Sequence, residues 1–195
     1  MIVIGVLGDI GSGKTFVSKQ FNCPVFNADN EVQKIYKRSR FCYNKLKNKL
    51  PKYIKSYPID KSEISKAILA NKTNIKKIVH IVHPMVRKKM NYFLKKNGKK
   101  KLVVLDIPLL IENKLNKKKD ILIYIDSKKS QIISRLKRRK NYNRKILDNL
   151  RRLQKKLVYK KKISSFIIKN NFNLLTVKNR VKFIKKKILN ETNST

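Results

Sequence analysis

Apolar positions along this chain follow two rhythms. Met1-Ile2-Val3-Ile4-Gly5-Val6-Leu7, Lys101-Leu102-Val103-Val104-Leu105-Asp106 and Ile121-Leu122-Ile123-Tyr124-Ile125-Asp126 contain continuous apolar runs. Their length and density predict parallel strands covered on both faces. Cys23-Pro24-Val25-Phe26 and Phe166-Ile167-Ile168 predict two shorter strands. Between these runs the apolar residues recur every three or four positions, as on one face of a helix. They are Phe16, Val17 and Phe21, then Val32, Ile35 and Tyr36, then Ile64, Ile68 and Leu69. Ile75, Ile78, Val79 and Val82 follow, then Met85, Val86, Met90 and Phe93 up to a turn at Asn97-Gly98. His83-Pro84 is expected to interrupt that stretch, because proline lacks the helical donor. Residues 39–57 are basic and aromatic, with Phe41, Tyr43, Leu46, Leu50 and Tyr53 expected to pack short helices between Pro51 and Pro58. A helix opening at Ser130 leads into Lys137-Arg138-Arg139-Lys140, and Asn141-Tyr142-Asn143 reads as a turn. A second basic helix is expected to run on to about Lys162, and a last helix spans Val177 to Leu189. Strands alternating with helices predict an α/β fold with a doubly wound parallel sheet.

A chain of 195 residues suits a single domain, here 1–195, with a helical region at about 30–97 inserted in it. No stretch reaches the 18 or so apolar residues of a membrane helix. The first apolar run lacks a basic leader and reads as a core strand, not as an export signal. Cys23 and Cys42 show no CxxC spacing, which points to a reducing, cytoplasmic setting and away from disulfides or zinc. The net charge of +40 from 51 Lys+Arg and 11 Asp+Glu would ordinarily suggest nucleic acid. Here the lysines are spread over nearly every helix. Abundant Ile, Asn, Lys and Tyr also fit a genome biased toward A/T-rich codons. No specific nucleic-acid or membrane partner is expected, and the chain is expected to be a monomer.

The chemistry starts at Gly8-Asp9-Ile10-Gly11-Ser12-Gly13-Lys14-Thr15, which fits G-x-x-x-x-G-K-[ST] between a strand and a helix. Such a loop turns backbone N–H groups toward a polyphosphate, aided by the helix N-terminus. Lys14 is expected on the β- and γ-phosphates, with the Thr15 hydroxyl on Mg²⁺. Gly8, Gly11, Ser12, Gly13 and Phe16 complete the expected ATP-binding set. The loop alone does not separate kinases from other nucleotide hydrolases. None of Asn44-Lys45, Asn48-Lys49, Asn71-Lys72 or Asn113-Lys114 has the Asp of a guanine-reading Asn-Lys-x-Asp element. The size and the two basic helices after the fourth strand suit a small-metabolite kinase with a lid over about 138–162.

Further elements make the likeness specific. Asn27-Ala28-Asp29 follows the second strand, Ile59-Asp60-Lys61 stands centrally, and Ile81 to Arg87 carry His83-Pro84. Leu105-Asp106-Ile107-Pro108-Leu109-Leu110-Ile111-Glu112 is followed by Arg135-Leu136-Lys137-Arg138-Arg139 and by Gln154, Lys160 and Asn170. In this order they resemble the dephospho-coenzyme A kinase family over nearly the whole chain. The resemblance implies a P-loop kinase fold with a helical acceptor-binding region and a helical lid. It implies transfer of the ATP γ-phosphate to the ribose 3′-hydroxyl of dephospho-coenzyme A. A nucleoside or nucleotide kinase, or an RNA-binding ATPase, is the alternative.

On that resemblance Lys14, Asp29 and Arg138 are the expected catalytic residues. Asp29 would accept the proton of the attacking hydroxyl, although Ala28-Asp29-Asn30-Glu31 also suits a helix start. Asp106 would hold a metal-bound water, and His83, Arg87, Pro108 and Leu109 would meet the acceptor. Asn170 is expected near the adenine. The chain departs from the family pattern at Asp9 in place of the second glycine, Asn27 and Ser165 in place of Asp, and Lys61 in place of Arg.

Overall fold

Five strands form one parallel sheet in the order β2-β3-β1-β4-β5 in the computed structural model, which describes residues 1–139 and 142–191. They are β1 (Ile2–Gly8), β2 (Val25–Asn27), β3 (Leu102–Asp106), β4 (Ile121–Asp126) and β5 (Phe166–Lys169). β1 lies at the centre, paired with β3 through Ile2↔Leu102 and with β4 through Ile4↔Ile121. The chain leaves β1 for β2 on one side and reaches β4 and β5 on the other. The loop after β1 is therefore at the point where the strand order reverses, and ligands of open α/β sheets collect there.

By chain segments the molecule divides into two compact units. The first comprises Met1–Asn27, Asn97–Tyr142 and Arg151–Thr195, and contains the sheet. Its core joins Ile4, Val6, Val104, Ile123, Ile125 and Ile168 of the strands to Val17 of α1 (Lys14–Gln20). Val177, Val181 and Ile188 of α9 (Leu174–Glu191) close the same core, which is why α9 keeps a strict apolar stripe in a lysine-rich sequence.

The second unit, Ala28–Lys96 with Asn143–Leu150, is helical. α2 (Ala28–Arg38), α3 (Arg40–Lys49) and α4 (Lys61–Ala70) pack on α5 (Lys72–Lys96). Cys42 and Leu46, Ile64 and Ala67, and Ile75, Ile78, Val82 and Val86 are buried there. Asp60 caps α4 through Ser62 N at 2.6 Å, and that hydrogen bond holds its carboxyl below its ordinary range. The Ile59-Asp60-Lys61 element thus includes a helix cap.

Three expectations are corrected. His83-Pro84 does not interrupt the helix: α5 runs through Pro84, held on either side by buried Val82 and Val86. The long basic helix ending near Lys162 is instead two helices, α7 (Arg144–Arg152) and α8 (Leu157–Lys162), separated at residues 153–156. Gln154 and Lys155 bond to Pro108 and Glu112 there, and those tertiary bonds replace helical continuity. Phe41 does not pack inward but is 59% exposed, with the Lys45 ammonium 4.5 Å from its ring centroid. Of the turn expected at Asn141-Tyr142-Asn143, Asn141 lies outside the described residues, as does Lys140.

Candidate active site

Backbone conformation explains the glycines of the loop. Gly8 and Gly13 have φ of 147° and 85°, where L side chains are strained. A Cβ on Gly8 would come within 2.8 Å of both Ile125 O and Ser12 Oγ, and one on Gly13 would strike the Asn170 amide and the Phe172 ring. The loop is thus wedged between β4 and the segment after β5. Ser12 is buried, and its carbonyl accepts from Ser127 Oγ at 2.9 Å and Asn170 Nδ2 at 2.8 Å. Lys14 Nζ reaches back over the loop to Asp9 O at 2.8 Å and Gly8 O at 3.3 Å. That cation crosses the concavity in which a polyphosphate would sit.

Thr15, Asn27 and Asp106 come from the ends of three neighbouring elements and converge. Thr15 Oγ1 donates to Asp106 Oδ2 at 2.5 Å, and Asn27 Nδ2 donates to the same oxygen. Asn27 Nδ2 also lies 3.3 Å from Thr15 Oγ1. Strand pairing makes this inevitable, because Asn27 and Asp106 are register partners at the ends of β2 and β3. Asp106 is 2% exposed, so its charge relies on these donors. The departure from Asp to Asn at position 27 spares the cluster a second carboxylate and supplies a donor. Hydroxyl and carboxylate oxygens suit a hard cation such as Mg²⁺. Among the described residues no group of three His, Cys, Asp or Glu has metal-binding proximity, so any ion here would lean on Thr15, Asp106, water and phosphate.

After β3 the chain turns through Ile107 to Leu115. Pro108 O accepts from Gln154 Nε2 at 3.3 Å, and Leu109 O accepts from Asn113 Nδ2 at 2.9 Å. Leu110 and Ile111 are buried, while Pro108 and Leu109 are half-buried. Glu112 anchors the turn by a 2.8 Å ion pair with Lys160, whose side chain is 1% exposed, and by accepting from Lys155 N at 2.8 Å. This accounts for Gln154 and Lys160 as a motif: both brace the turn that carries Pro108 and Leu109.

Other expected residues fall as follows. Phe16 packs against the core, leaving its backbone toward the loop. Asn170 is 2% exposed, with Nδ2 on Ser12 O and Oδ1 accepting from Phe172 N at 2.9 Å. Its amide ties the loop to the segment after β5. Beside it the Arg135 guanidinium lies 4.2 Å from the Phe172 ring centroid, a pair not anticipated from the sequence. Arg138 ends α6 (Lys129–Lys137) as its C-cap, with an exposed side chain, and Arg139 is exposed as well. In the helical unit, Asp29 is exposed in the first turn of α2. His83 and Arg87 stand four apart on α5, hence on one face, half-buried and exposed respectively.

Sequence reasoning also missed Arg151. Its guanidinium grips Asp9 in a two-pronged pair, Nη2–Oδ2 2.9 Å and Nε–Oδ1 3.3 Å. The available signal was Asp9 itself, since a carboxylate in a phosphate loop calls for a nearby cation. A cavity of about 590 Å³ opens beside this pair, lined by Ser12, Asp126, Gln154 and Tyr124 among others. Burial, and then the charges of Asp126 and Asp9, push the Tyr124 phenol up, so it is a neutral hydrogen-bonding group at physiological pH.

Comparison with known proteins identifies the family. A family model described as dephospho-CoA kinase matches residues 2–176. The dephospho-CoA kinase of Wolbachia pipientis wMel is 33% identical over 129 residues, 64% of this chain and 66% of that protein. That of the Wolbachia of Brugia malayi is 32% identical over 143 residues, 71% of this chain and 73% of that protein. Among solved structures, dephospho-CoA kinase from Campylobacter jejuni superposes with a TM-score of 0.62 at 20% identity, covering 95% of this chain and 96% of the other. At that identity the likeness speaks for the fold.

Proposed function

This chain belongs to the dephospho-CoA kinase family, and from that premise we propose that it transfers the γ-phosphoryl group of ATP to the ribose 3′-hydroxyl of dephospho-coenzyme A. The products are coenzyme A and ADP. The observation that carries this reading is the phosphate loop at the strand-order reversal, with Lys14 across it and the Thr15–Asp106–Asn27 cluster at its exit.

Phosphoryl transfer asks the protein mainly for positioning and for charge stabilisation. Backbone N–H groups of the first turn of α1 have no intrahelical partners and suit phosphate oxygens. Lys14 exchanges its loop carbonyls for the β- and γ-phosphates. A magnesium ion would be held by Thr15 directly and by Asp106 through water, and would neutralise charge between the β- and γ-phosphates. The 3′-oxygen bonds to phosphorus as the bond to the β–γ bridging oxygen breaks. The hydroxyl proton passes to Asp29, the carboxylate of the Asn27-Ala28-Asp29 element. Arg138 closes on the transferring group, and His83, Arg87, Pro108 and Leu109 contact the acceptor. Asn170 lies near the adenine, beside the Arg135–Phe172 pair. The reduced cysteines fit a cytoplasmic enzyme.

The test is ADP release by the purified chain with dephospho-coenzyme A, adenosine or AMP as acceptor. Turnover with the first and not the others is expected. Preference for adenosine or AMP would assign a nucleoside or nucleotide kinase.

A further inference from the structure

Asp9 lies inside the phosphate loop, in the path of a ligand with several negative charges. Like charges a few ångströms apart repel strongly in a partly buried site. Two cations meet that residue from opposite ends. Lys14 Nζ bonds to its carbonyl at 2.8 Å, and Arg151 grips its carboxylate. The same carboxylate accepts from Ile10 N at 2.7 Å, which fixes its direction. The Arg151 side chain is 32% exposed and faces the cavity shared with Ser12 and Lys155. Buried in that loop, Ser12 Oγ has no hydrogen-bond partner among the described residues. A guanidinium gripping one carboxylate keeps further N–H donors for a second anion.

We propose that Asp9 holds Arg151 at the phosphate loop and that an entering triphosphate engages the guanidinium's remaining donors. Arg151 then becomes an ATP-binding residue and Asp9 the residue that positions it. Asp9 offers this fork a single negative charge, whereas a triphosphate adds several oxygens and more charge. The inference rests on the ATP-dependent reading above. The competing role is that Arg151 merely cancels the repulsion from Asp9 and never touches nucleotide.

A double-mutant cycle read by direct ATP binding separates the two. The full chain is titrated with ATP in four forms: wild type, Arg151→Ala, Asp9→Gly, and both together. Arg151→Ala is expected to weaken ATP binding by about tenfold or more, the usual effect of losing a charge-assisted hydrogen bond. At least half of that loss, on a logarithmic scale, is expected to persist on the Asp9→Gly background, with partial recovery in Arg151→Lys. A loss that largely vanishes on that background overturns the proposal, because Arg151 then only neutralises Asp9. Wild-type ATP affinity in Arg151→Ala overturns it as well. Melting curves verify folding, and Arg151→Gln replaces Arg151→Ala in the cycle if the latter does not fold. The readout needs no acceptor. A wild type that binds ATP without phosphorylating dephospho-coenzyme A would sink the reaction and leave this test standing.

Discussion

At the scale of single residues, the roles separate by which step a substitution disturbs. Asp29→Asn should lower kcat far more than it raises the KM for ATP, since the amide can neither accept the proton nor orient the hydroxyl by charge. A residue that only starts α2 would instead lower the melting temperature and leave the folded fraction active. Arg138→Ala should cost on the order of 10³-fold in kcat with ATP affinity nearly unchanged, as for an arginine that acts only on the transferring group. Full kcat in that variant would make its exposed position at the end of α6 plain surface. Cys42 carries a pH signature. It is fully buried, and burial raises its thiol from 9.0 to about 11. The folded state then holds the proton more tightly than the unfolded chain. Its contribution to stability is complete below pH 9 and is lost as pH rises toward 11. Denaturant titrations at pH 8 and 10.5 should show a decline, to which half-buried Tyr36 adds in the same direction, and Cys42→Ala should reduce it.

Among elements, the most consequential link is between the turn after β3 and the segment at α8. Lys160 and Glu112 are 1% and 9% exposed and pair at 2.8 Å. Removing one partner of such a pair strands a buried charge. Lys160→Met should therefore destabilise the chain by about 3–5 kcal/mol in urea unfolding, whereas the double variant Lys160→Met with Glu112→Leu should recover most of the loss. If the double variant is as weak as the single one, the stem of Lys160 and not its charge holds this turn. The same link explains a misreading of the chain. Residues 144–162 have helix-forming composition throughout, yet Gln154 and Lys155 leave the helix to bond Pro108 and Glu112. Pro84 errs the other way: the apolar stripe of α5 on either side outweighs one missing donor.

For the molecule as a whole, the excess of positive charge is the dominant long-range term. Self-repulsion at +40 should make the melting temperature climb as salt rises from low ionic strength to about 0.2 M, where screening lengths fall below 10 Å. Binding to RNA should fall steeply over the same range, show little difference between sequences, and leave ATP turnover unstimulated. A salt-resistant, sequence-selective RNA complex would give the charge a function of its own. No described helix is long and apolar enough to cross a membrane.

Local order and the phosphate loop were legible in the amino-acid sequence because both are short-range properties. Strand runs, helical stripes and the Gly8–Thr15 spacing depend on residues a few positions apart, where periodicity and backbone conformation leave their mark. Asp9 was legible only as an acidic residue inside that loop. That a cation pairs with it was decided only by tertiary structure, because Arg151 lies 142 residues away. Likewise Thr15 and Asp106, 91 residues apart, meet because β1 and β3 pair in parallel. Asn170 bonds to the loop for a similar reason, since β5 ends beside it. Sequence periodicity says which side of an element is buried. Sheet order and register say which side chains are buried together, and it is those encounters that turn a phosphate-binding loop into a site.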